Sequence, residues 1–287
     1  MTAGRKIVVG LDSSPEAQQA LEWARGAAGP EDVIVAVHAW ANPVTLYPAY
    51  AVAMVPMPDE DFGAIAKEEL ARILGAVDDD RVTGRLVQDR PGPAIVAEGS
   101  DADLVVVGHR GDGQVSMVLG STANYVLHHA TAPTIVVRGD RPTAPRRLIV
   151  GVDDHGLDSG DSESLRALRW AYALPGVEHV TVLHAWSIAP MAWDITGVIA
   201  THHADFETGA KELVEQVVAA AGTPPDGVEV VTRVVQELPS RALIDAADDF
   251  DLVVVGTRGR GGFRGLILGS TSTSVAAHSP VPVAVVR

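Results

Sequence analysis

The chain has 287 residues and a formal charge of −15 at pH 7, with 47% hydrophobic and 21% charged residues. This length suggests two domains, and the composition is that of a globular protein able to bury a core. An acidic surface repels nucleic acid and anionic lipid, so we expect neither a nucleic-acid nor a membrane role. The absence of cysteine excludes disulfides, zinc-cysteine sites and a thiol nucleophile.

The predicted elements begin with a strand at IVVGL (7–11) and a helix at 14–28, for which Ser14 is a plausible N-cap and Pro15 opens the first turn. The N-terminus lacks the apolar stretch of a signal peptide, and no apolar run approaches the length of about 20 residues that spans a bilayer. We therefore expect a cytoplasmic protein. The other predicted elements of this half are a strand at 33–40, a helix at 60–77, a strand at 84–88, a short helix beginning in 93–100, a strand at 104–108, a helix at 121–130 and a strand at 134–138.

Such alternation predicts an α/β fold with an open, mostly parallel five-stranded sheet and helices on both faces. Spacing alone leaves the strand order open. Ligands in such sheets bind at the carboxyl ends of the strands, where the strand order reverses.

The second half of the chain repeats the first at an offset of 146 to 149 residues from Ala20 onward. We therefore predict two similar domains, 1–140 and 146–287, joined by a linker at 139–147. The matching segments include KIVVGLD (6–12) with LIVGVD (148–153), VHAW (37–40) with LHAW (183–186), DADLVVVG (101–108) with DFDLVVVG (249–256), and VLGST (118–122) with ILGST (267–271).

A glycine-rich segment follows the most apolar strand of each half, at 108–122 and 256–270. It is not a P-loop, because the three lysines of the chain lie elsewhere, and it has no GxGxxG register. Each segment leads into Gly-Ser-Thr (120–122 and 269–271) at a predicted helix N-terminus, where unpaired N–H groups favour phosphate. The alternative is a tight turn followed by a serine cap.

The spacing G-x2-G-x9-G-[ST] after an apolar strand, with Asp at the end of the first strand, resembles the tandem form of the universal stress protein family. The resemblance implies a Rossmann-like, nucleotide-binding fold and a cofactor that is ATP, ADP or AMP, with or without Mg²⁺. The loop backbone and serine would hold the ribose and phosphates, the aspartate would contact adenine, and a small residue after the second strand would line the base pocket. The implied binding residues are Asp12, Ala39, Gly108, Gly111, Gly120, Ser121 and Thr122, then Asp153, Ala185, Gly256, Gly259, Gly269, Ser270 and Thr271.

Each half departs from the family pattern. The first loop has eight residues between Gly111 and Gly120, one fewer than the pattern. The second half has about six extra residues after Asp153, which add Asp154, Asp158 and Asp161 near the expected adenine position.

The expected function is a regulatory role in stress or energy-state response, without a catalytic constellation and with at most slow, incidental ATP hydrolysis. Two alternatives stay open: a nucleotide-free interaction or dimerisation module, and an ATP-using enzyme. We expect the like domains to form an intrachain pseudo-dimer, with a homodimer as a further option. His38 and His184 are expected to be satisfied by local hydrogen bonds. Four arginines could pair with phosphate: Arg110, Arg258, Arg260 and Arg264.

Overall fold

Two compact units, Met1–Thr143 and Ala144–Arg287, divide the chain in a computed structural model. The structure describes residues 4–42, 59–110, 119–139, 144–157, 162–187, 196–257 and 268–287. None of the helices in these segments is long and apolar enough to cross a bilayer.

The first half alternates strands and helices in the predicted order. Its elements are β1 (Lys6–Gly10), α1 (Pro15–Ala27), β2 (Val33–Trp40), α2 (Asp59–Leu74), β3 (Val82–Gln88), α3 (Pro91–Glu98), β4 (Leu104–Gly108), α4 (Ser121–His129) and β5 (Thr134–Val137).

The second half repeats this order, with a short 3-10 turn at Ala247–Asp249. Its elements are β6 (Arg147–Gly151), α5 (Glu163–Ala173), β7 (His179–Trp186), α6 (Thr196–Ala221), β8 (Glu229–Gln236), α7 (Pro239–Ala246), β9 (Leu252–Gly256), α8 (Ser270–His278) and β10 (Val283–Val286).

All strand pairs within each half are parallel. The strands of the first half lie in the order β3-β2-β1-β4-β5, and those of the second in the order β8-β7-β6-β9-β10. Right-handed crossovers place α1 and α2 on one face of the sheet and α3 and α4 on the other. The predicted fold of two α/β halves with five-stranded sheets is therefore confirmed.

Strand β1 shows why these sequences form central strands. Ile7, Val8 and Val9 are fully buried, as expected for a parallel strand covered on both faces. Helix α1 follows because Ser14 is its N-cap, with a hydroxyl that accepts a hydrogen bond from Ala17 N at 3.2 Å. The predicted cap is therefore confirmed.

A glycine ends the first strand of each half because a helix packs closely against it. A Cβ on Gly10 would lie 2.5 Å from Ile95 of α3, and one on Gly151 would lie 2.8 Å from Leu243 of α7. The glycines thus let α3 and α7 approach the sheet edge at which the strand order reverses.

Candidate functional site

Each half contains a cavity at the carboxyl edge of its sheet, beside the two strands where the strand order reverses. The first cavity has a volume of about 620 Å³, and the second has a volume of about 350 Å³. Twelve of the fourteen implied binding residues line them. These are Asp12, Ala39, Gly108, Gly120, Ser121 and Thr122 in the first half, and Asp153, Ala185, Gly256, Gly269, Ser270 and Thr271 in the second.

The other two implied residues, Gly111 and Gly259, lie outside the described residues. So do Arg258, Arg260 and Arg264. Ala39 and Ala185 were the approximate matches to the small residue that the family resemblance implies after the second strand. They lie within β2 and β7, one residue before the strand ends, because the ladder with β3 or β8 continues through Trp40 and Trp186.

A buried histidine fixes the turn after the first strand in both halves. His38 Nδ1 lies 3.0 Å from Leu11 O, and His184 Nδ1 lies 2.8 Å from Val152 O. Because a carbonyl oxygen only accepts, each Nδ1 carries the donated hydrogen. The expectation that local hydrogen bonds satisfy these histidines is confirmed.

The two cavity aspartates are held by different partners. Asp12 Oδ1 accepts from the N–H of Ser14 at 3.0 Å and from the Ser14 hydroxyl. Asp153 Oδ1 accepts from His155 N at 3.1 Å and lies 3.2 Å from Ser164 Oγ. The N-cap of α5, Ser162, makes no side-chain capping hydrogen bond, and Ser164, the second residue of α5, contacts the aspartate instead.

The acidic insertion of the second half is described only in part. Asp158 and Asp161 lie outside the described residues. Asp154 is described, but it is not among the described residues that line the second cavity.

A helix N-terminus points its serine and threonine at each cavity. The N-cap residues Gly120 and Gly269 have no side chain to cap the helix. Each donates its backbone N–H to the residue that follows the preceding strand: Gly120 N to His109 O at 2.8 Å, and Gly269 N to Thr257 O at 2.6 Å. Backbone N–H groups at such an end favour an anion.

Positive charge gathers beside the first cavity. Arg110 lines this cavity, and its buried Nε has no hydrogen-bond partner within the described segments. Burial, with the added charge of Arg110, lowers the pKa of Arg138 to about 10. Burial also lowers the pKa of His109, and the charge of Arg138 adds to this effect. An anion that approaches this part of the cavity would therefore meet the positive charge of Arg110.

The second half replaces His109 with Thr257. The Thr257 hydroxyl donates to Glu163 Oε2 at 2.7 Å, and both side chains are buried. This hydrogen bond from a hydroxyl to a carboxyl group joins the start of α5 to the end of β9. The two cavities therefore have different surroundings despite their common origin.

Sequence reasoning missed several residues that line the cavities. Glu69 of α2 lines the first, and Trp186 lines the second. Pro91 and Pro239, which open α3 and α7, line the first and second cavity respectively. The duplication was a usable signal for the prolines, since they recur at equivalent places, whereas Glu69 has no acidic counterpart in the second half.

Metal-ligating side chains do not cluster in the described part of the chain. No group of three or more His, Asp or Glu residues there could hold a metal ion.

Comparison with known proteins agrees with this architecture. The model of the universal stress protein family matches residues 4–138 and again 145–287. A universal stress protein of Mycolicibacterium smegmatis is 35% identical over 289 residues, which cover 98% of this chain and 96% of the relative. A universal stress protein of Mycobacterium tuberculosis is 32% identical over 304 residues, with coverage of 98% and 96%.

Solved structures share the fold at lower identity. The crystal structure of a universal stress protein from Archaeoglobus fulgidus has a TM-score of 0.62 and 18% identity, and the match covers 99% of this chain and 96% of that one. A Pseudomonas aeruginosa structure described as a putative universal stress protein has a TM-score of 0.63 and 16% identity, with coverage of 99% and 93%. With one family domain matched in each half, the chain belongs to the universal stress protein family in its tandem form.

Proposed function

We propose that each cavity binds an adenine nucleotide, which is ATP, ADP or AMP, and that occupancy regulates a response to stress or energy state. One observation carries the proposal: in both halves a carboxylate after the first strand shares a cavity with a serine-bearing helix N-terminus after the fourth. The first group suits the donor edge of a base, and the second suits phosphate. Arg110 adds positive charge in the first half.

The proposal is for binding without turnover. Mg²⁺ enters it only as a companion of the nucleotide phosphates. A cytoplasmic location and the pairing of the two halves as a pseudo-dimer stay predictions of the sequence.

The test is release and rebinding of nucleotide. We expect adenine nucleotide in the supernatant of the denatured purified protein, or a higher melting temperature on adding ATP with Mg²⁺, because a ligand that binds only the folded state stabilises it. At an ATP concentration one hundred times Kd, the free energy of unfolding rises by about 2.7 kcal/mol. Absence of both effects at millimolar ATP would contradict the proposal and favour a nucleotide-free interaction module.

Substitutions locate the binding. Ser121→Ala and Ser270→Ala should each weaken ATP binding, since each removes a hydroxyl donor at a cavity wall. Ser274→Ala is the matched control, because Ser274 lies one turn further along α8 and is not among the described residues lining the cavity. ATP hydrolysis by the wild type that is lost in Asp12→Asn and Asp153→Asn would show an enzyme instead.

A further inference from the structure

Glu69 brings a second carboxylate to the first cavity. It lies on α2 and lines the cavity together with Asp12 and His38. Its Oε2 lies 3.6 Å from His38 Nε2, and its side chain is 32% exposed, whereas that of His38 is 7% exposed. At 3.6 Å this is a contact and not a hydrogen bond, so the buried ring borders the carboxylate at the cavity wall.

The position of that ring is fixed from its other side. His38 Nδ1 donates to Leu11 O at 3.0 Å, and Leu11 is followed directly by Asp12. The turn after β1, the imidazole and Glu69 therefore form a continuous row along the cavity wall. Both carboxylates of this row only accept hydrogen bonds. A ligand group that fills this part of the cavity must bring N–H or O–H donors.

The second half has no such carboxylate at the corresponding place. At this helix the offset between the halves is 144 residues, outside the range of the strand and loop motifs, and AKEEL (66–70) aligns with AKELV (210–214). The alignment is supported by burial, since Ala66 and Leu70 are buried as are Ala210 and Val214. Leu213 therefore takes the position of Glu69, and it is not among the described residues that line the second cavity.

We propose that Glu69 makes the first cavity selective for a purine with an amino group at position 6, as in adenine, over one with an oxo group at position 6, as in hypoxanthine. The amino group donates to the Glu69 carboxylate, whereas the oxo group of hypoxanthine would place two acceptors against each other. The second cavity, which has Leu213 in place of this carboxylate on α6, discriminates less between the two bases. This inference rests on the proposed nucleotide binding.

The experiment compares ATP with ITP in two-site calorimetric titrations of the full chain. In the wild type, one site should prefer ATP by at least about tenfold, since a hydrogen bond to a charged group contributes at this level. Glu69→Leu should abolish most of this preference, and the reciprocal Leu213→Glu should add a preference at the other site. Glu69→Gln, which can also donate, should bind ITP better than the wild type does.

Glu68→Gln is the matched control. Glu68 is an exposed carboxylate next to Glu69 on the same helix and is not among the described lining residues, so its replacement should leave the preference unchanged. If Glu69→Leu still binds both nucleotides with the wild-type preference, the role of Glu69 is overturned while nucleotide binding stands. If the wild type binds neither ATP nor ITP, nucleotide binding itself fails, and the role of Glu69 fails with it.

Discussion

Asp79 shows how much one ion cluster contributes to the first half. Its Oδ2 accepts hydrogen bonds from Arg81 Nη2 at 2.8 Å and Arg25 Nε at 2.9 Å. Hydrogen bonds from Arg81, assisted by those from Arg25, hold the pKa of Asp79 far below its usual range against the opposing effect of burial. Arg81 also donates to the carbonyls of Ala28 and Gly29. The cluster therefore ties the end of α1 to the start of β3.

Asp79→Asn should destabilise the protein by about 2 kcal/mol at pH 7, because the variant leaves two arginines without their shared anion. Denaturant unfolding of the purified protein measures this. The control is Asp226→Asn, at an exposed carboxylate in the corresponding turn of the second half. Equal midpoints for Asp79→Asn and the control would contradict the assigned role.

At the scale of elements, the contact between α3 and α4 depends on one glycine. A Cβ on Gly92 would lie 2.7 Å from Tyr125 Cδ1 and 2.9 Å from Tyr125 Cβ. The Tyr125 ring is itself stacked on His129, with ring centroids 4.0 Å apart, so it has little freedom to move away. Gly92 therefore sets how closely α3 can approach the cavity-facing helix α4.

Gly92→Ala should lower the free energy of unfolding by about 1–3 kcal/mol, because the added methyl overpacks this contact. Adding Tyr125→Ala to the Gly92→Ala variant should recover part of that loss. Thermal unfolding of the single and double variants gives the coupling between the two sites. Gly209→Ala serves as the control, because nothing lies within 4 Å of its added Cβ on α6, and it should stabilise by about 0.5–1 kcal/mol. A neutral Gly92→Ala would show that α3 shifts freely.

Local sequence signals predicted the elements well but not their order. Ser14 and Pro15 define the start of α1 through capping chemistry that operates within three residues. The placement of β1 between β2 and β4 depends on contacts across the whole sheet, which no local pattern encodes. For the same reason, Ser121 could be predicted as a cavity residue from its local motif, whereas Glu69 could not, because it reaches the cavity from a helix that has no motif of its own.

At the scale of the whole chain, the two halves differ in their stabilising charges. In the first half, burial acts to raise the pKa of Asp32. Hydrogen bonds from Arg5 and from Gly29 N outweigh this effect, so the pKa of Asp32 lies below its ordinary value. The corresponding pair of the second half, Arg146 with Glu178, is about half exposed or more on both sides. Such exposed pairs contribute little.

The first half should therefore lose protection in acid before the second. Asp32 and Asp79 have lower pKa values folded than the ordinary 3.8, so their stabilising effect is complete well above that pH and is lost as the pH falls below it. Hydrogen exchange with mass spectrometry at about pH 3 and pH 6, read as protection factors, should show this loss in β1–β3 and not in β6–β8. Equal losses in both halves would contradict it.

Trp186 gives the second cavity an indole on its wall, with its ring centroid 6.0 Å from that of Phe206. Its counterpart Trp40 instead packs beside Gly63 and is not among the described residues that line the first cavity. Indole emission is sensitive to an aromatic base brought into contact with it. Under the proposed nucleotide binding, a base entering the second cavity should therefore change the emission of Trp186, and a fluorescence titration would follow that half without an attached dye while calorimetry records both.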